Sequence, residues 1–287
     1  GGGDDESRAF RAHISVFYSS HDAAERRASE EWLGAFVKTD GAWEACFMIL
    51  ESGGGGASDV ESLFSARTLH DLLRRCVAKD EKKQASHAII DWEALRFRLV
   101  RLNKLFAERC ANGGGNVDLR ATLTQLSLAL AALACKMPSW DPNGVVDQTL
   151  AAFNEDETTS QAAKVVCLTT FLAIVAEQAA SRDLSIHPMR REAVLTGLKN
   201  SVSTVMDVLG RLADAAGGDA ALHTHILDAL GSWAEIANVA QALPTIIVDG
   251  AVHILCDDSH GSHIRQSAVK ALKGVLVQCI WTMGDET

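Results

Sequence analysis

The chain has 287 residues, of which 47% are hydrophobic and only 6% aromatic, with four Pro, one Tyr and a formal net charge of -10. Ala and Leu outnumber the β-branched residues, which favours helix over sheet, and the acidic balance excludes general nucleic-acid binding, which needs Lys and Arg in excess. No apolar run approaches the ~20 residues that a bilayer crossing needs, and the N-terminal GGGDDESRAF lacks a basic start and an apolar core, so a soluble, non-secreted protein without membrane contact is expected.

Taken in chain order, the apolar spacing predicts helices nearly everywhere and no strand. Trp32, Leu33 and Phe36 lie on one helix and Trp43, Phe47 and Leu50 on the next, spaced to pack across a hairpin. Leu119, Leu123, Leu126, Leu130, Leu133 and Met137 alternate steps of four and three, as one face of a single helix does. Val165, Leu168, Leu172 and Val175 form a similar stripe. Leu195, Leu198, Val202, Val205, Leu209 and Leu212 predict another single helix, and Val269, Leu272, Leu276 and Cys279 a last one. Turn signals separate these patterns at Tyr18 to Ser20, Thr39 to Gly41, Gly53 to Gly56, Asn112 to Gly115, Pro138 to Asn143, Gly217 to Gly218 and Asp257 to Gly261. The Gly53 to Gly56 run and the charged Lys79 to Lys83 segment are expected to be mobile connections.

Paired, the helices give about six hairpins with a period of roughly 40 to 47 residues, the size of a HEAT or armadillo unit. The expected hairpins span 5–38, 41–80, 91–138, 143–181, 189–239 and 244–283. One amphipathic pair cannot hide both faces, so each stacks on its neighbours, and the expected fold is an all-α solenoid forming a curved rod. Its last hairpin is expected to expose an apolar face through Val269, Leu272 and Leu276.

Residues that could carry chemistry are present but not arranged for it. Cys46, Cys76, Cys110, Cys135, Cys167, Cys256 and Cys279 form no CxxC pair and fall mostly within helical patterns, where a thiol acts as a small hydrophobe in a reducing compartment. Cys256, Asp257, Asp258, His260 and His263 crowd one segment, but structural zinc draws paired ligands from two, so a polar turn with no metal is expected. His223 and His225 point to different sides of a helix. Glycines 53–56 are not followed by Gly-Lys-Ser/Thr, no Gly-x-Ser-x-Gly elbow occurs, and the carboxylate pairs lie on surface positions. Neither an enzyme nor a cofactor site is expected.

Specific strings go further than periodicity. ASEEWLGAFVKTDGAWEACFMIL (Ala28 to Leu50) resembles the first-to-second repeat junction of importin-beta superfamily nuclear transport receptors (karyopherins), and FSARTLHDLL (Phe64 to Leu73) resembles their Phe-Ala-Ala-Gln-Thr-Leu helix. LTQLSLALAALACKMPSW (Leu123 to Trp140) is most similar to the transportin-SR branch, which includes importin-thirteen. PMRREAV (Pro188 to Val194) and LGSWAEI (Leu230 to Ile236) follow in that branch's order. Trp32, Trp43, Trp140 and Trp233 in these strings are expected to be core or corner residues.

The resemblance implies the N-terminal part of a longer receptor that shuttles between cytoplasm and nucleus. Its implied partners are the GTP-bound small GTPase Ran, nucleoporins and protein cargo such as serine/arginine-rich splicing factors. It further implies that second helices of the early hairpins face Ran, which makes Arg67, His70, Asp71, Arg74, Thr124 and Gln125 the candidate contacts. Arg67 stands where the family pattern usually has Gln, His70 where it often has Lys, and Ala132 in place of an acid. Arg26-Arg27, Arg74-Arg75 and Arg190-Arg191 are basic pairs that could meet a phosphorylated cargo. The alternative reading is a HEAT scaffold that assembles a complex outside transport.

Overall fold

The computed structural model describes residues 2–52, 57–75, 91–112, 117–154 and 159–284. Gly53 to Gly56, Cys76, Lys79 to Lys83 and the glycines at 113–115 lie outside them. Among the described residues the regular structure is helical throughout, without a strand. The helices are α1 (Gly2–Ser19), α2 (Ala23–Phe36), α3 (Gly41–Glu51), α4 (Asp59–Arg75), α5 (Trp92–Asn112), α6 (Val117–Lys136), α7 (Val145–Asn154), α8 (Gln161–Ala180), α9 (Pro188–Asn200), α10 (Val202–Ala216), α11 (Ala220–Ile236), α12 (Thr245–Cys256) and α13 (Ser262–Gly284), with a 3-10 turn at Pro142–Gly144.

Their starts follow from local chemistry. The side chains of Asp22, Ser160 and Asp219 accept from backbone N–H groups in the first turns of α2, α8 and α11, supplying partners that the helix itself cannot. At α4 the exchange is reciprocal: Glu61 Oε2 accepts from Ser58 N at 2.8 Å, and Ser58 Oγ from Glu61 N at 3.2 Å.

The helices form two layers. In the inner one, α4, α6, α8, α11 and α13 pack side by side in chain order; the outer one is built from α1, α3, α5, α7, α9, α10 and α12, and α2 packs on α1. Extensive contacts join only helices near one another in this order, so α1 to α4 reach no further than α6. That locality is the mark of a HEAT-type solenoid, in which each unit is buried by its neighbours around one continuous core. Trp140 and Trp233 are fully buried, while Trp32 is half-buried and stacked between His13 and Phe36 at 4.2 and 4.9 Å. Trp43 is half-buried against the same core.

The units are also joined by a repeated device: a side chain from the next unit caps the C-terminal carbonyls of the preceding inner helix. Lys136, 2% exposed, donates to Leu73 O and Arg74 O at the end of α4. Arg190 donates to Cys135 O, Met137 O and Trp140 O after α6, and Arg191 to Ala179 O, Ser181 O and Leu184 O after α8. Gln278 does the same for Ala234 O and Ala237 O after α11. Cations suit these positions because the last carbonyls are unpaired and the helix dipole is negative there.

Two expectations are corrected. The stripe from Leu195 to Leu212 is divided between α9 and α10, because Ser201 leaves helical geometry and both its N–H and its hydroxyl bond back to Gly197 O. Gly197 also lies against the 3-10 turn so tightly that a Cβ there would come 2.2 Å from Pro142 O. The bend lets α9 follow that turn while α10 joins the core. Second, α6 and α8 are each 20 residues long and apolar enough to cross a membrane, contrary to the reading of the apolar runs; 61% and 67% of those windows are buried inside the array. They are apolar around most of their circumference because neighbours flank them on several sides.

The cysteines behave as packing residues. Cys46, Cys135 and Cys167 are buried, and burial pushes the Cys135 thiol up to about 12 and the other two higher still, which disfavours the reactive thiolate.

Candidate partner-binding face

Among the described residues, two hollows border helices of the inner layer. The first, about 310 Å³, lies between the end of α1, α2 and α4 and is lined by Phe17, Tyr18, Leu33, Phe64, Arg67 and Asp71, with Glu30 and Arg75 at its polar margin. Its floor is apolar because positions 64, 68 and 72 of α4 fall on one stripe with Leu33 and Val37 opposite. The second, about 240 Å³, lies between α6, α8 and α11 and includes Thr124, Arg120, Thr170, Asp219 and His225.

The six candidate contacts therefore separate. Arg67 and Asp71 line the first hollow, and Arg74 is exposed on the same helix. His70 turns the other way, toward α6, where its Nε2 is buried without a hydrogen-bond partner. Burial lowers its pKa, aided by Arg74 and opposed by Asp71 and by the Gln125 amide beside the ring. His70 and Gln125 thus sit together across the α4–α6 seam. Thr124 belongs to the second hollow, and its hydroxyl donates to Arg120 O at 2.9 Å within its own helix. In that hollow burial, reinforced by Arg120, holds His225 below the ordinary histidine range.

Sequence reasoning placed none of Tyr18, Arg120 and His225 on this face, and weighed His225 only as a metal ligand beside His223. Tyr18, 56% exposed, was read as turn punctuation, but α1 continues to Ser19 and carries it to the rim of the first hollow. Nothing in local spacing pointed to Arg120 or to His225 as its neighbour, since they meet only through the packing of α6 and α11 on α8.

The basic pairs also separate. Arg190 and Arg191 are not available for cargo, since their guanidinium groups are spent on the carbonyl caps of α6 and α8. Arg27 pairs with Glu31 at 3.2 Å on an exposed surface. Arg74 and Arg75 are exposed at the end of α4.

A family described as Exportin 1-like protein matches residues 120–272. The chain belongs to this Exportin 1-like family. The match covers nearly all of α6, the helices from α7 through α12 and about the first half of α13, and it contains both partners of the Arg190 and Arg191 caps. Exportin 1-like regions occur in karyopherins of the importin-beta superfamily, which are nuclear transport receptors and not enzymes, and which shuttle between nucleus and cytoplasm. In these receptors the region belongs to the Ran-binding N-terminal part. Thr124 and Gln125 fall inside the Exportin 1-like match; Arg67, His70, Asp71 and Arg74 precede it.

Proposed function

We propose that this chain is the Ran-binding portion of a nuclear transport receptor of the transportin-SR and importin-thirteen branch, with GTP-bound Ran meeting the exposed edge of α4. The observation that carries this reading is the juxtaposition on α4 of Arg67, Arg74 and Arg75 with the apolar hollow under Tyr18 and Phe64. An interface gains most from such a pairing, because the apolar floor supplies buried area while rim charges steer and orient the partner. Arg67 and Asp71 are the contacts the geometry favours most. His70 and Gln125 act behind them by setting how α4 lies on α6. Nucleoporins and protein cargo, including serine/arginine-rich splicing factors, are the further partners of this reading.

Titration of the chain with Ran in both nucleotide states tests it. Selective binding of the GTP form is expected, since the nucleotide orders the switch loops that a receptor can read. Equal affinity for the two states would remove the assignment.

A further inference from the structure

The turn between α12 and α13 was expected to be merely polar, with Cys256, Asp257, Asp258, His260 and His263 in one segment. The fold selects a different set. His253, in the last turn of α12, joins Asp257 and His260, and one ligating atom from each lies within 4.8 Å of the others.

The backbone holds this set together. Asp257 N donates to His253 O at 3.0 Å, which keeps their side chains one helical turn apart on the same side. His260 N donates to Asp257 O at 3.3 Å and folds the loop back over the helix end. Ser259 N donates to Asp257 Oδ1 at 2.9 Å, fixing the carboxylate so that Oδ2 faces His260 Nε2 at 3.5 Å. The His253 and His260 rings stand edge to face with centroids 6.3 Å apart. Asp258 is tied instead to Arg265 at 3.0 Å.

The 3.5 Å gap between His260 and Asp257 is longer than a good N–H···O bond of about 2.7–3.2 Å. It is close to the edge of a tetrahedron around zinc, about 3.4 Å for ligand bonds of ~2.0–2.2 Å. In that tetrahedron every pair of ligand atoms stands about 3.4 Å apart, so a separation of up to 4.8 Å closes when the exposed His253 ring moves by at most about 1.4 Å. Two imidazoles and a carboxylate are a donor set for a borderline divalent ion, and three protein ligands leave a position open to water. The second bond on Asp257, from Ser259, is the kind of outer contact that orients a metal-binding carboxylate.

We propose that His253, Asp257 and His260 form a binding site for a divalent transition-metal ion, zinc in the first instance, which ties the end of α12 to the loop entering α13. The site involves no residue of the α4 face and stands independently of the transport reading.

Calorimetric titration of the tag-free chain with zinc chloride tests it. One ion per chain is expected, with at least tenfold weaker binding in His253→Ala, Asp257→Asn and His260→Ala. His263→Ala and Cys256→Ser, which alter neighbours outside the set, are expected to bind within about twofold of the parent, since distant surface changes leave a site intact. All five lie at exposed or half-exposed positions, so circular dichroism should show the same helicity in each. No saturable binding, binding unchanged by the three ligand substitutions, or binding that follows His263 or Cys256 would each overturn the proposal.

Discussion

Arg74-Arg75 and Arg190-Arg191 are the same dipeptide, the first at the end of α4 and the second at the start of α9, and the array uses them in opposite ways. The second pair is half-buried, with Arg190 donating to four backbone carbonyls at the end of α6 and Arg191 to three at the end of α8. The first pair ends α4 in solvent, beside an apolar hollow. What separates them is what the next unit places over the helix end. Lys136 already caps α4 from below, so its own arginines are left facing outward, whereas α6 and α8 have no such lysine and take their caps from the start of α9. A basic pair thus becomes structural where carbonyls converge on it, and interactive where another cation has already met that need.

The comparison can be broken most forcefully at Arg190. Arg190→Ala leaves the carbonyls of Cys135, Met137 and Trp140 without their partner and is expected to cost about 2–4 kcal/mol, against little for Arg75→Ala. Urea unfolding of the two variants measures the contrast, and equal losses would mean that the caps are incidental. On the interactive side, Arg67→Glu with Arg74→Glu is expected to weaken binding of GTP-bound Ran by roughly 2 kcal/mol or more while changing stability by about 0.5 kcal/mol or less. GTP-selective binding untouched by these substitutions would retain the transport role and move the contact off α4.

A smaller effect concerns the α4–α6 seam behind that face. His70 has its folded-state pKa lowered by burial below 6.5, so the unfolded chain takes up the proton first. Stability therefore declines as pH falls through about 6.5 and stops declining once the folded-state pKa is passed. His70→Asn should flatten the decline in unfolding free energy measured between pH 7.5 and 5, and an unchanged slope would assign it to other groups such as His225. The smallest effect is expected at Val269 and Leu276, which are 52% and 60% exposed on α13. Val269→Asp with Leu276→Asp should leave stability within about 0.5 kcal/mol and reduce any self-association seen by sedimentation. Leu272, read with them on one stripe, is packed against the core and does not belong to that test.

Much of the architecture was legible because helical periodicity is a local property. Leu119 to Met137 could bury one face only as a helix, and Asp22, Ser160 and Asp219 mark starts by chemistry within three residues of themselves. The division at Ser201 was not legible: its apolar stripe continues unbroken, and the bend comes from the contact of Gly197 with a turn more than fifty residues earlier in the chain. The candidate face was legible in part. Residues 67, 70, 71 and 74 share a helix by spacing alone, but whether His70 looks outward with Arg67 or inward to Gln125 depends on where α6 packs.

The same division holds for the whole molecule. Composition, spacing and turn residues by themselves determined an all-helical chain of stacked hairpins, since burying an amphipathic face requires only a neighbour of the same kind. Only the tertiary structure decided which cations cap carbonyls and which face solvent, that Thr124 and Arg67 lie in separate hollows, and that His253 meets Asp257 and His260. Each of those outcomes depends on which group from another helix or a folded-back loop arrives at a given carbonyl or side chain, and no local pattern encodes that distance.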